Sequence, residues 1–204
     1  YDGPPRMSIP LPQQITVVGL GYVGLPLAVA MARHFRVIGF DIDARRIAEI
    51  ASGSDRTGEV AADGLAASGA TFTSEAVTMA GTDLFIVAVP TPVGPGNKPD
   101  FSDLKSACAV VAPYLGKGAV AVFESTVYPG ATEEICGPLL EEGSGLACGS
   151  DFFLGYSPER MNPGDPEHTL PNVVKVVAGQ TPDVAAMLAE VYGKVTTVFV
   201  ARDI

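Results

Sequence analysis

Short apolar runs alternate with longer segments of helical spacing along most of the chain. Ile15–Val18 is the first run, rich in β-branched residues and stopped by Gly19. Leu25–Arg33 then carries Leu, Ala and Met at helical intervals. Further runs at Val37–Phe40, Asp83–Val89, Ala119–Phe123, Phe152–Tyr156, Val173–Val177 and Thr196–Val200 predict strands, with a short one at Thr71–Thr73. Ala44–Ile50, Phe101–Leu115 (with Ser102 as N-cap), Thr132–Leu140 and Pro182–Tyr192 predict helices. The polar, Gly/Ala-rich stretch Ser52–Gly69 reads as a loop with a short helix. Strands that are apolar almost throughout are buried on both faces, as in parallel sheets. Their alternation with helices implies βαβ units. The expected fold class is α/β: a doubly wound, mostly parallel sheet with helices on both faces.

Composition narrows the function classes. The 204 residues suit one large domain, or one domain with a fragment of a second. Hydrophobic residues make up 47% and charged ones 18%, which favours a packed core over disorder. The formal charge is −10, so nucleic acid and anionic membrane surfaces are not expected partners. No run of about 18 apolar residues suggests a membrane span. Three cysteines (Cys108, Cys136, Cys148) without C-x-x-C spacing argue against a disulfide framework or a zinc site, and no metal is expected. The cytoplasm is the default compartment. Residues 1–12 read as a leader outside the fold, and 13–204 as the domain.

Gly19-Leu20-Gly21-Tyr22-Val23-Gly24 is a G-x-G-x-x-G placed after a predicted strand and before a predicted helix. Gly19 permits a tight turn, Gly21 lets a pyrophosphate approach the backbone, and Gly24 allows close helix–strand packing. A helix N-terminus offers N–H groups and a positive dipole end to phosphates. A Rossmann-type sheet binding a dinucleotide is the expected outcome. The bland reading is a Gly-rich turn without a ligand. Asp41 lies 22 positions after Gly19 and ends the second strand. A carboxylate there suits a ribose 2′-OH and disfavours a 2′-phosphate, which points to NAD over NADP. Arg45 and Arg46 leave the alternative of a held 2′-phosphate, or of two solvated helix charges.

Ligands of open α/β sheets lie outside the carboxyl ends of the strands. Besides the glycine loop, three such ends carry polar or Pro-rich stretches: Pro90-Thr91-Pro92, Glu124-Ser125-Thr126 and Ser157-Pro158-Glu159-Arg160. Taken singly, each is ordinary turn chemistry. Asn162-Pro163-Gly164-Asp165 reads as a turn, His168 as a loop histidine and His34 as a solvated cation ending a helix. All three cysteines read as structural.

Six stretches together resemble the UDP-glucose/GDP-mannose dehydrogenase family: VVGLGYVGLP from Val17, GFDID from Gly39, VPTPV from Val89, Pro99-Asp100, ESTVYPGATEEIC from Glu124 and GYSPERMNPGD from Gly155. The pair ESTVYPGATEEIC from Glu124 and YSPERMNPGD from Tyr156 most resembles enzymes that oxidise UDP-N-acetylhexosamines for surface polysaccharides. The resemblance implies oxidation of a sugar C6 alcohol through an aldehyde and a thioester to a carboxylate, with two NAD⁺. It implies that Gly19, Leu20, Gly21, Tyr22, Val23 and Gly24 hold the pyrophosphate and Asp41 the adenosine ribose. Arg46 would sit near the adenosine. Val89, Thr91, Pro92 and Ser125 would line the cofactor cleft, and Thr126 would lie by the nicotinamide and help position a water. Glu159 would be the general base for thioester hydrolysis, and Glu159 with Arg160 would meet the UDP-sugar. The second glutamate of some members is Pro163 here. The family's Gly-x-Cys-x-x-Lys-Asp stretch is absent, so the chain reads as the cofactor-binding portion, inactive alone, of an enzyme that is a homodimer at full length. Two other readings remain: a non-catalytic NAD-binding or sensor module, and a dehydrogenase of the β-hydroxyacid type.

Overall fold

A computed structural model describes residues 9–160 and 169–204. The turn at 162–165 and His168 lie outside the described residues, as does most of the expected leader. Within that leader, Ile9 packs against the core and Pro12 is buried, so ordered packing begins before residue 13.

Eight strands form one sheet in the order β3-β2-β1-β4-β5-β6-β7-β8. They are β1 (Gln14–Val18), β2 (Arg36–Phe40), β3 (Thr71–Thr73), β4 (Leu84–Val87), β5 (Val120–Phe123), β6 (Phe153–Tyr156), β7 (Val174–Gly179) and β8 (Thr197–Val200). The order runs outward in one direction from β1 to β3 and in the other from β4 onward, so the topological switch point lies between β1 and β4. Neighbours pair in parallel from β3 through β6. β7 then runs antiparallel to β6, and β8 parallel to β7.

The two-residue period of the strands sends alternate side chains to opposite faces. Val17, Leu84, Ile86, Val120 and Val122 join one core cluster. Val18, Phe85, Val87, Ala121 and Phe123 join the other. Helices α1 (Gly24–Met31) and α6 (Pro182–Tyr192) cover the first face, through Leu25, Leu27, Val184 and Leu188. Helices α4 (Ser102–Val111) and α5 (Gly137–Ser144) cover the second, through Leu104, Cys108, Val111 and Leu140. The remaining helices, α2 (Ala44–Ala51) and α3 (Ala62–Ala66), follow β2.

Two helix boundaries differ from the sequence reading. Ser102 does not cap α4 but is its first residue; Asp100 Oδ1 accepts from the Ser102 N–H at 2.9 Å and from its hydroxyl at 2.6 Å. The N-cap is Phe101, whose side chain makes no capping bond; Asp100, one residue earlier, reaches two residues forward in an Asx turn. The expected helix from Thr132 to Leu140 begins as one wide π-helical turn, Thr132–Cys136, and becomes α-helical only at Gly137–Pro138. Periodicity alone does not distinguish the two windings.

The reversal at β7 decides what reaches the carboxyl edge of the sheet. Gly155 of β6 pairs with Gly179 of β7, and α6 lies directly over the pair. A Cβ on Gly155 would stand 2.6 Å from Leu188 Cδ1, and one on Gly179 would stand 2.4 Å from the Ala185 backbone N. Because β7 runs backward, its first residues lie at the carboxyl edge of β1–β6. α6 then returns to the same edge and ends there at Tyr192. We predict that Gly179→Ala destabilises the fold by about 1–3 kcal/mol, since backbone atoms of α6 must move to admit the methyl group. Urea unfolding checks this, and a loss below about 0.5 kcal/mol would contradict the close seating of α6.

Candidate functional site

A cleft of about 590 Å³ opens at the carboxyl edge, at the β1/β4 switch point. Residues from each of the four predicted strand ends line it: Gly19–Val23 of the glycine loop, Pro90–Pro92, Glu124–Thr126 and, of Ser157–Arg160, Glu159 alone. Its volume is within the usual range for small-molecule sites.

The glycine loop is held from within the protein. The Gly19 N–H donates to Phe40 O at 2.9 Å, and Gly19 adopts φ +92°, a conformation that favours glycine. A Cβ on Gly24 would lie 1.8 Å from Gly19 O, so only glycine lets α1 start this close to the turn. Gly21 is different. A Cβ there would meet no protein atom within 4 Å. The fold does not require glycine at that position, and a ligand seated against the backbone would. Among the described residues no side chain caps the N-terminus of α1, and a helix N-terminus of this kind suits a phosphate.

The Leu20 peptide is gripped on both sides. Its N–H donates to Asp41 Oδ2 at 2.9 Å, and its carbonyl accepts from Arg46 Nε at 2.8 Å. Asp41 Oδ1 also accepts from the Asp43 N–H at 2.9 Å, and Asp41 lines the cleft. Arg46 does not line it. Its side chain is buried, and its guanidinium is taken up by Leu20 O, Glu49 Oε1 at 2.9 Å and Asp55 Oδ1 at 2.6 Å. The expectation that Arg46 sits near the adenosine gives way to a place under the loop, because three partners inside the protein satisfy it. Arg45 is exposed and pairs with Asp43.

On the far side of the cleft, the Ser125 hydroxyl donates to Val89 O at 2.5 Å and ties two strand-end loops together. Thr126 is exposed to the cleft. Thr91 Oγ1 is buried with no hydrogen-bond partner among the described residues, although Thr91 lines the cleft. A buried hydroxyl without a partner is costly unless a ligand completes it. Arg160 is exposed and does not line the cleft; its backbone N–H donates to Glu159 Oε1 at 2.6 Å.

Behind Glu159 lies a group of residues that the sequence reading did not single out. Lys175 is fully buried and hydrogen-bonds to Glu124 Oε2. The Tyr192 hydroxyl donates to Glu124 Oε1 at 2.6 Å. Lys175 Nζ also stands 3.7 Å from Glu159 Oε2. Burial pushes the Glu124 carboxyl up, and Lys175 opposes that rise. Burial, with the neighbouring Glu124, holds the Tyr192 phenol well above its ordinary range. The one available signal was a lysine inside the apolar run Val173–Val177.

The profile of the UDP-glucose/GDP-mannose dehydrogenase family, NAD binding domain, matches residues 13–196. The chain belongs to that family. It is 50% identical over 185 residues to protein CapL of Staphylococcus aureus, which covers 91% of this chain and 44% of CapL. It is 48% identical over 185 residues to a UDP-N-acetyl-D-glucosamine 6-dehydrogenase of Pseudomonas aeruginosa, covering 90% of this chain and 44% of that protein. The structure of a UDP-D-ManNAc dehydrogenase from Pyrococcus horikoshii superposes with a TM-score of 0.84 at 32% identity, over 93% of this chain and 47% of that one. The chain thus spans less than half the length of these relatives.

As an NAD binding domain of this family, the chain takes NAD as its cofactor. The residues present fit that group. Among the described residues, the open space at Gly21, the α1 N-terminus without a side-chain cap and the Thr91 hydroxyl without a hydrogen-bond partner meet at one cleft, which Asp41 also lines. Among the described residues no cluster of three or more His, Cys, Asp or Glu could hold a metal ion, and no helix is long and apolar enough to cross a membrane.

Arg46 depends on Asp55, whose buried carboxylate also accepts from the N–H groups of Thr57, Glu59 and Val60. Burial pushes the Asp55 carboxyl up, but Arg46 and these hydrogen bonds outweigh it and leave it below its ordinary value. A lowered folded-state value adds stability that is fully present above the unfolded value, about 3.9, and is lost as pH falls through the folded one. Asp55→Asn should therefore cost about 1–3 kcal/mol at pH 7, with the gap to wild type narrowing only below about pH 4. Denaturant titrations across pH 3–8 check this; a gap that closes already near neutrality would contradict it.

Proposed function

We propose that this chain is the cofactor-binding portion of a nucleotide-sugar 6-dehydrogenase. In this reading the whole enzyme oxidises the C6 alcohol of a UDP-N-acetylhexosamine to the carboxylate, supplying precursors for a surface polysaccharide in the cytoplasm, and works as a homodimer. The observation that carries the reading is the sharing of one cleft by the glycine loop, Thr126 and Glu159. Support for the substrate class comes from the relative named UDP-N-acetyl-D-glucosamine 6-dehydrogenase, at 48% identity.

The balance of the proposed reaction is one alcohol, two NAD⁺ and one water giving one carboxylate, two NADH and three protons. NAD⁺ supplies a two-electron hydride acceptor in each oxidation. The chain's residues orient, exclude water and move protons. The N–H groups at the start of α1 receive the pyrophosphate, with Gly21 letting it approach. Asp41 accepts from the adenosine ribose while its other contacts keep Leu20 in place. Val89, Thr91, Pro92 and Ser125 wall the cleft, and Thr91 supplies a hydroxyl to the bound group. Thr126 helps to place the water. Glu159 takes the water's proton during hydrolysis of the thioester, whose thiol comes from the remainder of the enzyme; Glu159 and Arg160 also meet the sugar nucleotide.

Two outcomes test this. NAD⁺ should raise the melting temperature of the chain, and NADP⁺ should raise it less, through mass-action linkage. Equal shifts would contradict the ribose role of Asp41. In a protein of the relatives' full length, Glu159→Gln should lower kcat for oxidation of UDP-N-acetylglucosamine by about 10²–10⁴, the usual yield of a general base. An undiminished kcat would remove Glu159 from the chemistry.

A further inference from the structure

We propose that Lys175 is a positioning residue for Glu159, anchored by Glu124 and Tyr192, and that it holds the Glu159 side chain in place at the mouth of the cleft. The proposal rests on the general-base reading of Glu159 given above.

The geometry is that of one cation between two carboxylates. Glu124 follows β5, Glu159 follows β6, and Lys175 is the second residue of β7. Only the antiparallel course of β7 brings Lys175 to this edge. Lys175 and the Glu124 side chain are wholly inaccessible, whereas the Glu159 side chain keeps 10% exposure and lines the cleft. Glu124 is fully committed, with one oxygen to Tyr192 and the other to Lys175. Its position, and that of the ammonium, is therefore fixed. The 3.7 Å separation between Lys175 Nζ and Glu159 Oε2 is long for a direct hydrogen bond but close for charge attraction. Glu159 can thus gain orientation and charge stabilisation from Lys175 while lining the cleft.

Stability alone does not explain the arrangement. A buried ion pair costs several kcal/mol in desolvation per ion, and apolar residues of similar volume commonly do as well or better. A buried charge cluster beside a cleft points instead to a role at the site. Among the described residues, three tyrosines also face the cluster. Tyr22, from the glycine loop, feels Glu159, which together with burial raises its phenol. Tyr156, at the end of β6, feels both Lys175 and Arg160, although burial raises it on balance. Tyr192 approaches from α6, its ring centroid 6.0 Å from Lys175 Nζ, with Ser157 beside its hydroxyl. Lys175 is the cation nearest to both carboxylates among the described residues.

The test uses a protein of the relatives' full length, with the UDP-sugar aldehyde and NAD⁺ as substrates. The readout is the pH profile of kcat for conversion to the acid. Lys175→Met should move the acidic limb upward by about one pH unit, because Glu159 loses its neighbouring cation. It should also lower kcat at neutral pH by about tenfold or more, with KM little changed. Lys175→Arg should restore most of the rate and the original limb. Glu124→Gln keeps an oxygen for Tyr192 but removes the competing charge, so it should move the limb downward. This variant carries the test alone if Lys175→Met does not fold. In a Glu159→Gln background, Lys175→Met should cost no further rate, as expected of groups acting as one unit.

A folded Lys175→Met with the original limb would overturn the proposal, and so would a Glu124→Gln limb that stays put or moves upward. Equal losses from Lys175→Met with and without Glu159 would also overturn it, as a purely structural role predicts. Failure of the underlying reading shows separately: Glu159→Gln alone would then oxidise the aldehyde at the wild-type rate, and the role of Lys175 would fall with it.

Discussion

The grip on the Leu20 peptide is the constraint on which the cleft depends. Asp41 holds its N–H and Arg46 its carbonyl, so a loop that must contain glycines to admit a ligand is nevertheless fixed. Glycine-rich loops lose much backbone freedom on ordering. Here two charged side chains offset that cost through charge-assisted hydrogen bonds. Arg46 is in turn held by Glu49 and Asp55, which links the loop to the segment after α2. The dinucleotide end of the cleft is preorganised from beneath, and its upper side stays open. The net charge of −10 is no obstacle to an anionic cofactor, because a helix terminus and backbone N–H groups offer local attraction that the total does not report.

The other end of the cleft depends on a reversal of direction. Were β7 parallel to β6, Lys175 would lie at the amino edge of the sheet and could not reach Glu124 or Glu159. The antiparallel course brings β7's first residues and the last residue of α6 to the same place. The paired glycines Gly155 and Gly179 let α6 lie close enough for Tyr192 to reach Glu124. Packing geometry, strand direction and charge placement are thus one structural fact seen at three levels.

Much of the sheet was legible because parallel strands are apolar almost throughout and the glycine loop marks the first crossover. The convergence of Thr91, Ser125, Thr126 and Glu159 followed from strand ends sharing one edge. Strand direction was not legible: the apolar run at Val173–Val177 reads alike in either orientation, so nothing singled out Lys175. The fate of Arg46 was hidden for a different reason. A helix-face arginine near a cofactor fingerprint can serve the ligand or the loop, and only the positions of Leu20 O and Asp55 decide between them. Ser102 and Asp100 show the same limit at short range, since either residue type can begin a helix.

Gly21 separates a loop built for a ligand from a loop that is merely tight, because a methyl group there meets space and not protein. The most direct test is a calorimetric titration of NAD⁺ into the wild-type chain and into Gly21→Ala, alongside their unliganded melting curves. The account predicts saturable binding by the wild type, most of the binding lost in the variant, and nearly coincident melting curves. A variant that binds NAD⁺ as the wild type does would contradict the claim that this gap seats the pyrophosphate.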